Sequence, residues 1–138
     1  QAWGLLERHL DRRPTTNPIQ RFGERFRLEL PQLQAAGLAH YHAWAFASIR
    51  QAGAAFDLAA NHLRWQAAFG RPELSAPAQC FDTVAQGSKA LILKGARAVN
   101  SGRSFDATPL FAEMSQSWQR GMDLLQSMFT SVECEGVN

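Results

Sequence analysis

Residues 48–65 read SIRQAGAAFDLAANHLRW, an alanine-rich run that nonetheless carries Arg50, Asp57, Asn61, His62 and Arg64. At roughly 100° per helical residue, positions 50, 57, 61 and 64 fall within about 60° of one another, so they share a stripe. Such a stripe supports two kinds of chemistry. It can pair with a neighbouring helix, or it can hold a ligand. If this helix and the next form an antiparallel hairpin centred near residue 73, Asp57 faces Lys89 and Arg64 faces Asp82, with opposite signs in both pairs. Unpaired burial of such groups costs roughly several kcal/mol, which argues for lateral neutralisation. Arg50 is left over, because its facing position is near Ala96. A spare guanidinium on an apolar helix can grip a carboxylate or phosphate with two parallel hydrogen bonds; the alternative is that it snorkels to solvent or caps a carbonyl.

The other chemistry-bearing residues are scattered. In HYH, His40 and His42 point to different faces, and His62 lies far downstream. None has an i, i+4 ligand partner and the Glu-x-x-His pattern of bundle metal sites is absent, so neither a metal nor another cofactor is expected. Cys80 sits at the start of a helix, where amide dipoles can activate a thiol, but no histidine is expected to face it, and a buried inert role is the simpler reading. Ser48 and Ser88 read as small spacers that let helices approach. The candidate ligand-binding set is therefore Arg50, Asp57, Asn61, Arg64 and Lys89, with His42 added from the histidine pair, and no catalytic residue is assigned within the chain.

These residues need helices to position them. Residues 2–12 read as a short helix with Trp3, Leu5, Leu6 and Leu10 on one side. TNPIQRF opens the next, with Asn17 as N-cap, Pro18 at the first position and Gln20 where a capping box wants it. Pro31 should stop or bend that helix, and Gly37 suits its C-terminal cap. From Leu38 to Phe69 nothing but Gly53 interrupts the pattern, giving a spine of about 30 residues and roughly 45 Å. After GRPELSAP a helix runs from about 76 to 100. Another opens at Thr108–Pro109 with Leu110, Phe111, Met114, Trp118, Met122, Leu125, Met128 and Phe129 as its apolar stripe. That stripe reads as core, or as a groove for a partner helix or acyl chain. With no alternating strand pattern, the expected fold is all-α: an up-and-down bundle of four helices with a short N-terminal helix, one domain over 1–130 and a flexible tail over 131–138.

The chain's 138 residues and 46% hydrophobic content suffice for one packed core. Arg and Lys exceed Asp and Glu by only 14 to 12, too little for a nucleic-acid surface. The longest apolar run is broken by Arg50 and Asp57, so no membrane span is expected. Two widely separated cysteines and no secretory signal lead to a cytoplasmic expectation. Gln1 in place of an initiator Met reads as a fragment or a processed form.

The segments NPIQRF, HYHAWAFASIRQAGAAFDLAANHLRW and SKALILKGARAV resemble an uncharacterised proteobacterial family whose members accompany small amino-acid:carrier-protein ligases and their carrier proteins. The resemblance spans roughly residues 14–125. It implies a longer protein, whose preceding half is similar to the papain-like acyltransferase of butirosin biosynthesis and would hold the catalytic Cys and His upstream of Gln1. The expected function is a helical accessory domain acting on aminoacyl or acyl thioesters of a phosphopantetheinylated carrier protein, by docking it or by shaping the acyl pocket. Two alternatives stand beside it. One is a structural bundle that self-associates or binds a partner helix; the other is an enzyme using the spine's polar groups, which needs a cavity beside Arg50 and Asp57.

Overall fold

The computed structural model describes residues 16–136. The short helix expected over 2–12 lies outside them. Helix α1 (Pro18–Ala36) begins where Asn17 Oδ1 accepts the amides of Ile19 at 3.0 Å and Gln20 at 3.3 Å. Pro18 is tolerated at its head because the amide it lacks would have no helical acceptor there. The Asn17 side-chain amide also donates to the Ser115 carbonyl at 2.8 Å, fastening the start of α1 to the last helix. The stop or bend expected at Pro31 does not end the helix, which continues to Ala36. Pro31 lies on the exposed side while Leu30 and Leu33 are buried on either side of it, so packing outweighs the lost hydrogen bond. Termination waits for Gly37, whose φ of 97° is a conformation that only glycine adopts cheaply.

The spine is one continuous rod in three parts: α2 (Leu38–Ala45), a π-helical turn (Phe46–Arg50) and α3 (Gln51–Ala68). In the π turn the backbone bonds widen to accommodate an extra residue, a feature that apolar spacing does not reveal. The rod reverses at Phe69–Arg71, whose two amides both donate to the Gln66 carbonyl at 3.2 Å, and a 3₁₀ turn (Pro72–Leu74) leads into α4 (Ser75–Ser101). Helix α5 (Thr108–Gly136) starts where Asp106 Oδ1 accepts the Thr108 amide at 3.0 Å. A bond from the Thr108 hydroxyl, and after it this amide bond, hold the Asp106 carboxyl below its ordinary pKa. The backbone of α5 is helical to Gly136, beyond the boundary at residue 130 that its apolar stripe suggests.

The molecule is thus an all-α bundle of four helices, and no strand occurs among the described residues. Helix α4 packs on the spine along one side and on α5 along the other, while α1 closes the bundle against α5, α2 and α4. Two apolar clusters fill it. One gathers Phe26, Leu30, Tyr41, Ile49, Leu91 and Phe111; the other gathers Leu63, Leu74, Phe81, Val84, Trp118 and Leu125. Ile19 touches both. Tyr41 is fully buried, and its hydroxyl donates to the Ile92 carbonyl at 2.9 Å. Gly95 leaves the room for that hydroxyl, since a Cβ there would overlap it. Burial disfavours the phenolate and pushes the Tyr41 pKa to about 12.

Candidate functional site

The polar stripe of the spine divides in two. Near the hairpin turn the expected pairing forms: Arg64 Nη2 lies 3.2 Å from Asp82 Oδ1, while Arg64 Nη1 donates to Asn61 Oδ1 at 3.0 Å. Farther from the turn the expected Asp57–Lys89 pair does not form; neither residue has an ion-pair partner among the described residues. The reason is register. Gly53 sits against Ser88, where an added Cβ would come within 3.0 Å of the serine Cβ, and Phe56 stacks on Phe81 at 6.1 Å. Lys89, next to Ser88, therefore belongs beside Gly53, about a turn away from Asp57. Arg50 is exposed, has no carboxylate among the described residues, and lays its guanidinium 5.5 Å from the ring centroid of Phe46. His42 is exposed on α2, its ring 5.8 Å from that of its neighbour Tyr41. Of the six candidate residues, Asn61 and Arg64 thus join Asp82 in one cluster, and the other four are separate exposed or half-buried groups.

A second feature of the spine went unseen in the residue pattern. Leu58, His62, Trp65 and Phe69 fall within about 60° of one another, on the side of α3 opposite the core positions Gly53, Ala60 and Leu63. Leu58 and Phe69 are each 72% exposed and Trp65 59%. The rings form a row, His62 stacked on Trp65 at 6.4 Å and Phe69 tilted against Trp65 at 5.0 Å. The helix is thus apolar on two opposite faces, one covered by the bundle and one exposed. Periodicity reports which positions are apolar; it does not report which of them are covered.

Two cavities lie against the aromatic core. A surface cleft of about 580 Å³ lies between α1 and the 104–108 segment, floored by Phe26, Phe105 and Phe111 with Arg27 and Asp106 at its rim. Gln34 holds that segment in place, its amide donating to the carbonyls of Ala98 at 3.2 Å and Arg103 at 2.8 Å. A smaller cavity of about 210 Å³ lies inside the bundle beside the π turn, walled by Phe22, Ile49, Phe56, Leu91, Phe111 and Met114. Ser48 and Ser88 are its polar side chains. Neither Arg50 nor Asp57 lines either cavity, so the pocket that an enzyme using those groups requires is in neither place.

Cys80 is buried and unpaired, against Phe81 and Gly121. Among the described residues no three His, Cys, Asp or Glu side chains come together in a way that would hold a metal ion, and no helix is long and apolar enough to cross a membrane. Searches of curated proteins and of solved structures found no match to the chain. The family comparison did: the DUF1839 C-terminal domain matches residues 1–127, and the chain belongs to that family.

Proposed function

We propose that this domain is a docking module for a phosphopantetheinylated carrier protein of net negative charge, serving thioester chemistry carried out by residues outside this chain. Two observations carry the reading: the spine has an exposed apolar face at Leu58, Trp65 and Phe69, and the spine and α4 together hold more cations than their carboxylates can pair. Between residues 38 and 101 the cations are Arg50, Arg64, Arg71, Lys89, Lys94 and Arg97, against Asp57, Glu73 and Asp82. The acids Asp82 and Glu73 are taken up by Arg64 and Arg71, leaving Arg50, Lys89, Lys94 and Arg97 without ion pairs among the described residues. Leu58, Trp65 and Phe69 supply apolar area of the kind an interface centre desolvates, and the surplus of cations steers an acidic partner toward the domain. A family described as a C-terminal domain suits a helical part that follows a catalytic one. The test is titration of the chain with carrier protein in its phosphopantetheinylated form. Combined Arg50→Glu and Lys89→Glu weakens binding at least about tenfold, ~1.4 kcal/mol, and flattens its salt dependence; an unchanged affinity overturns the reading.

The exposed ring row His62–Trp65–Phe69 favours a second reading, self-association through the same face. Light scattering separates the two: a mass that stays monomeric at high concentration excludes it.

A further inference from the structure

We infer that the 210 Å³ cavity beside the π turn is a binding site for an uncharged aliphatic chain of about six carbons. Protein interiors pack like organic crystals and hold few voids larger than a water molecule, so a space of this size is an exception to be explained. An apolar void of ~150 Å³ admits the six carbons of benzene, which sets the scale of the occupant. The lining sets its chemistry. No ionisable side chain faces the space, so a carboxylate or ammonium would be stranded there. The two serines do not offer donors either: Ser48 gives its hydroxyl proton to the Trp44 carbonyl at 2.8 Å, and Ser88 gives its proton to the Val84 carbonyl at 2.9 Å. A water molecule needs two to four polar partners and finds only serine lone pairs, so neither water nor an ion is the fitting occupant.

The approach is equally defined. Pro18, Ile19 and Phe22 on α1 and Ser48 and Phe56 on the spine are half-buried, and Ala52 between them is exposed while still lining the cavity. The mouth therefore opens between the first turn of α1 and the first turn of α3, at Ala52. Small side chains keep it open, Ala52 at the rim and Ser48 and Ser88 within. The inference deepens the carrier-protein reading and rests on it for the source of the chain, the acyl group of a thioester.

The experiment uses hexanoyl-pantetheine as probe, without carrier protein, on chain labelled with ¹³C at its methionine methyls. Met114 lines the cavity, whereas Met122 and Met128 pack in the other cluster and act as internal references. The expected result is a saturable shift of the Met114 methyl alone. The shift is lost in Ala52→Leu, which fills the mouth from an exposed helix position, and is kept in Ala54→Leu, exposed and outside the lining. Decanoyl-pantetheine binds at least fivefold more weakly than the hexanoyl probe. A Met114 resonance that does not move, three methyls that move together, or a shift that survives Ala52→Leu overturns the inference. Because the carrier is absent, failure here leaves the docking titration standing, and failure of that titration leaves this site standing with a free aliphatic ligand.

Discussion

Tyr41 is where one side chain controls the most. It is the chain's sole tyrosine, so its ionisation can be followed at 295 nm without overlap from another phenol. An unfolded tyrosine titrates near 10, and burial raises this one to about 12. The fold binds the phenol proton more tightly than the unfolded chain does, so its contribution is whole below about pH 10 and is lost as pH climbs toward 12. The expected absorbance midpoint is about 12 in the native protein, and the Tyr41→Phe variant loses this part of the alkaline destabilisation; a midpoint near 10 contradicts the buried placement. Gly95 is the counterpart of that hydroxyl. Gly95→Ala forces the ring out of its slot and lowers stability by about 1–3 kcal/mol in denaturant unfolding, although alanine is the better helix former. Tyr41→Phe combined with Gly95→Ala recovers part of the loss, because the severest overlap is with the oxygen while a lesser one with the ring edge remains.

The helices themselves test the register. Arg64 and Asp82 are partly exposed, so a double-mutant cycle between Arg64→Ala and Asp82→Asn gives a coupling of about 0.2–1 kcal/mol. The same cycle on Asp57 and Lys89 gives none, and a measurable coupling there would contradict the Gly53–Ser88 and Phe56–Phe81 contacts. That contrast explains what could be read from the residues alone. Punctuation is local, so the Asn17–Pro18 start, the Gly37 stop, the turn near residue 73 and the Thr108 start were legible. Arg64–Asp82 was legible because it lies close to the turn that anchors the hairpin. Asp57–Lys89 lies farther out, where close glycine–serine and ring–ring contacts decide the offset and counting from the loop no longer holds. Of the two outcomes open at Pro31, a stop or a bend, the stop is excluded by the bundle, which buries Leu30 and Leu33 on either side of it. The π turn left no trace, since a widened hydrogen bond needs no special residue type. The outward stripe of Leu58, Trp65 and Phe69 was hidden for a related reason: apolar spacing looks alike whether a face is covered or bare.

For the molecule as a whole, α4 is the shared wall of both apolar clusters and carries the longest run of buried positions, from Pro77 to Val99. Opening it requires losing both clusters together, so its central amides exchange by global unfolding and are the slowest in native-state hydrogen exchange. Amides of α1 exchange faster, since that helix closes the bundle from one side; equal or greater protection in α1 contradicts this order. The π turn reaches just as far. An extra residue accommodated between Phe46 and Arg50 sets the phase between everything before it and everything after it. Deleting one residue there restores an ordinary helix but turns the upstream third of the bundle about 100° around the rod. The Tyr41 ring would swing away from its glycine notch while Gly53 stayed against Ser88. Chain length between those two anchor points is thus quantised: single-residue insertions and deletions that an uninterrupted surface helix would shrug off are forbidden here.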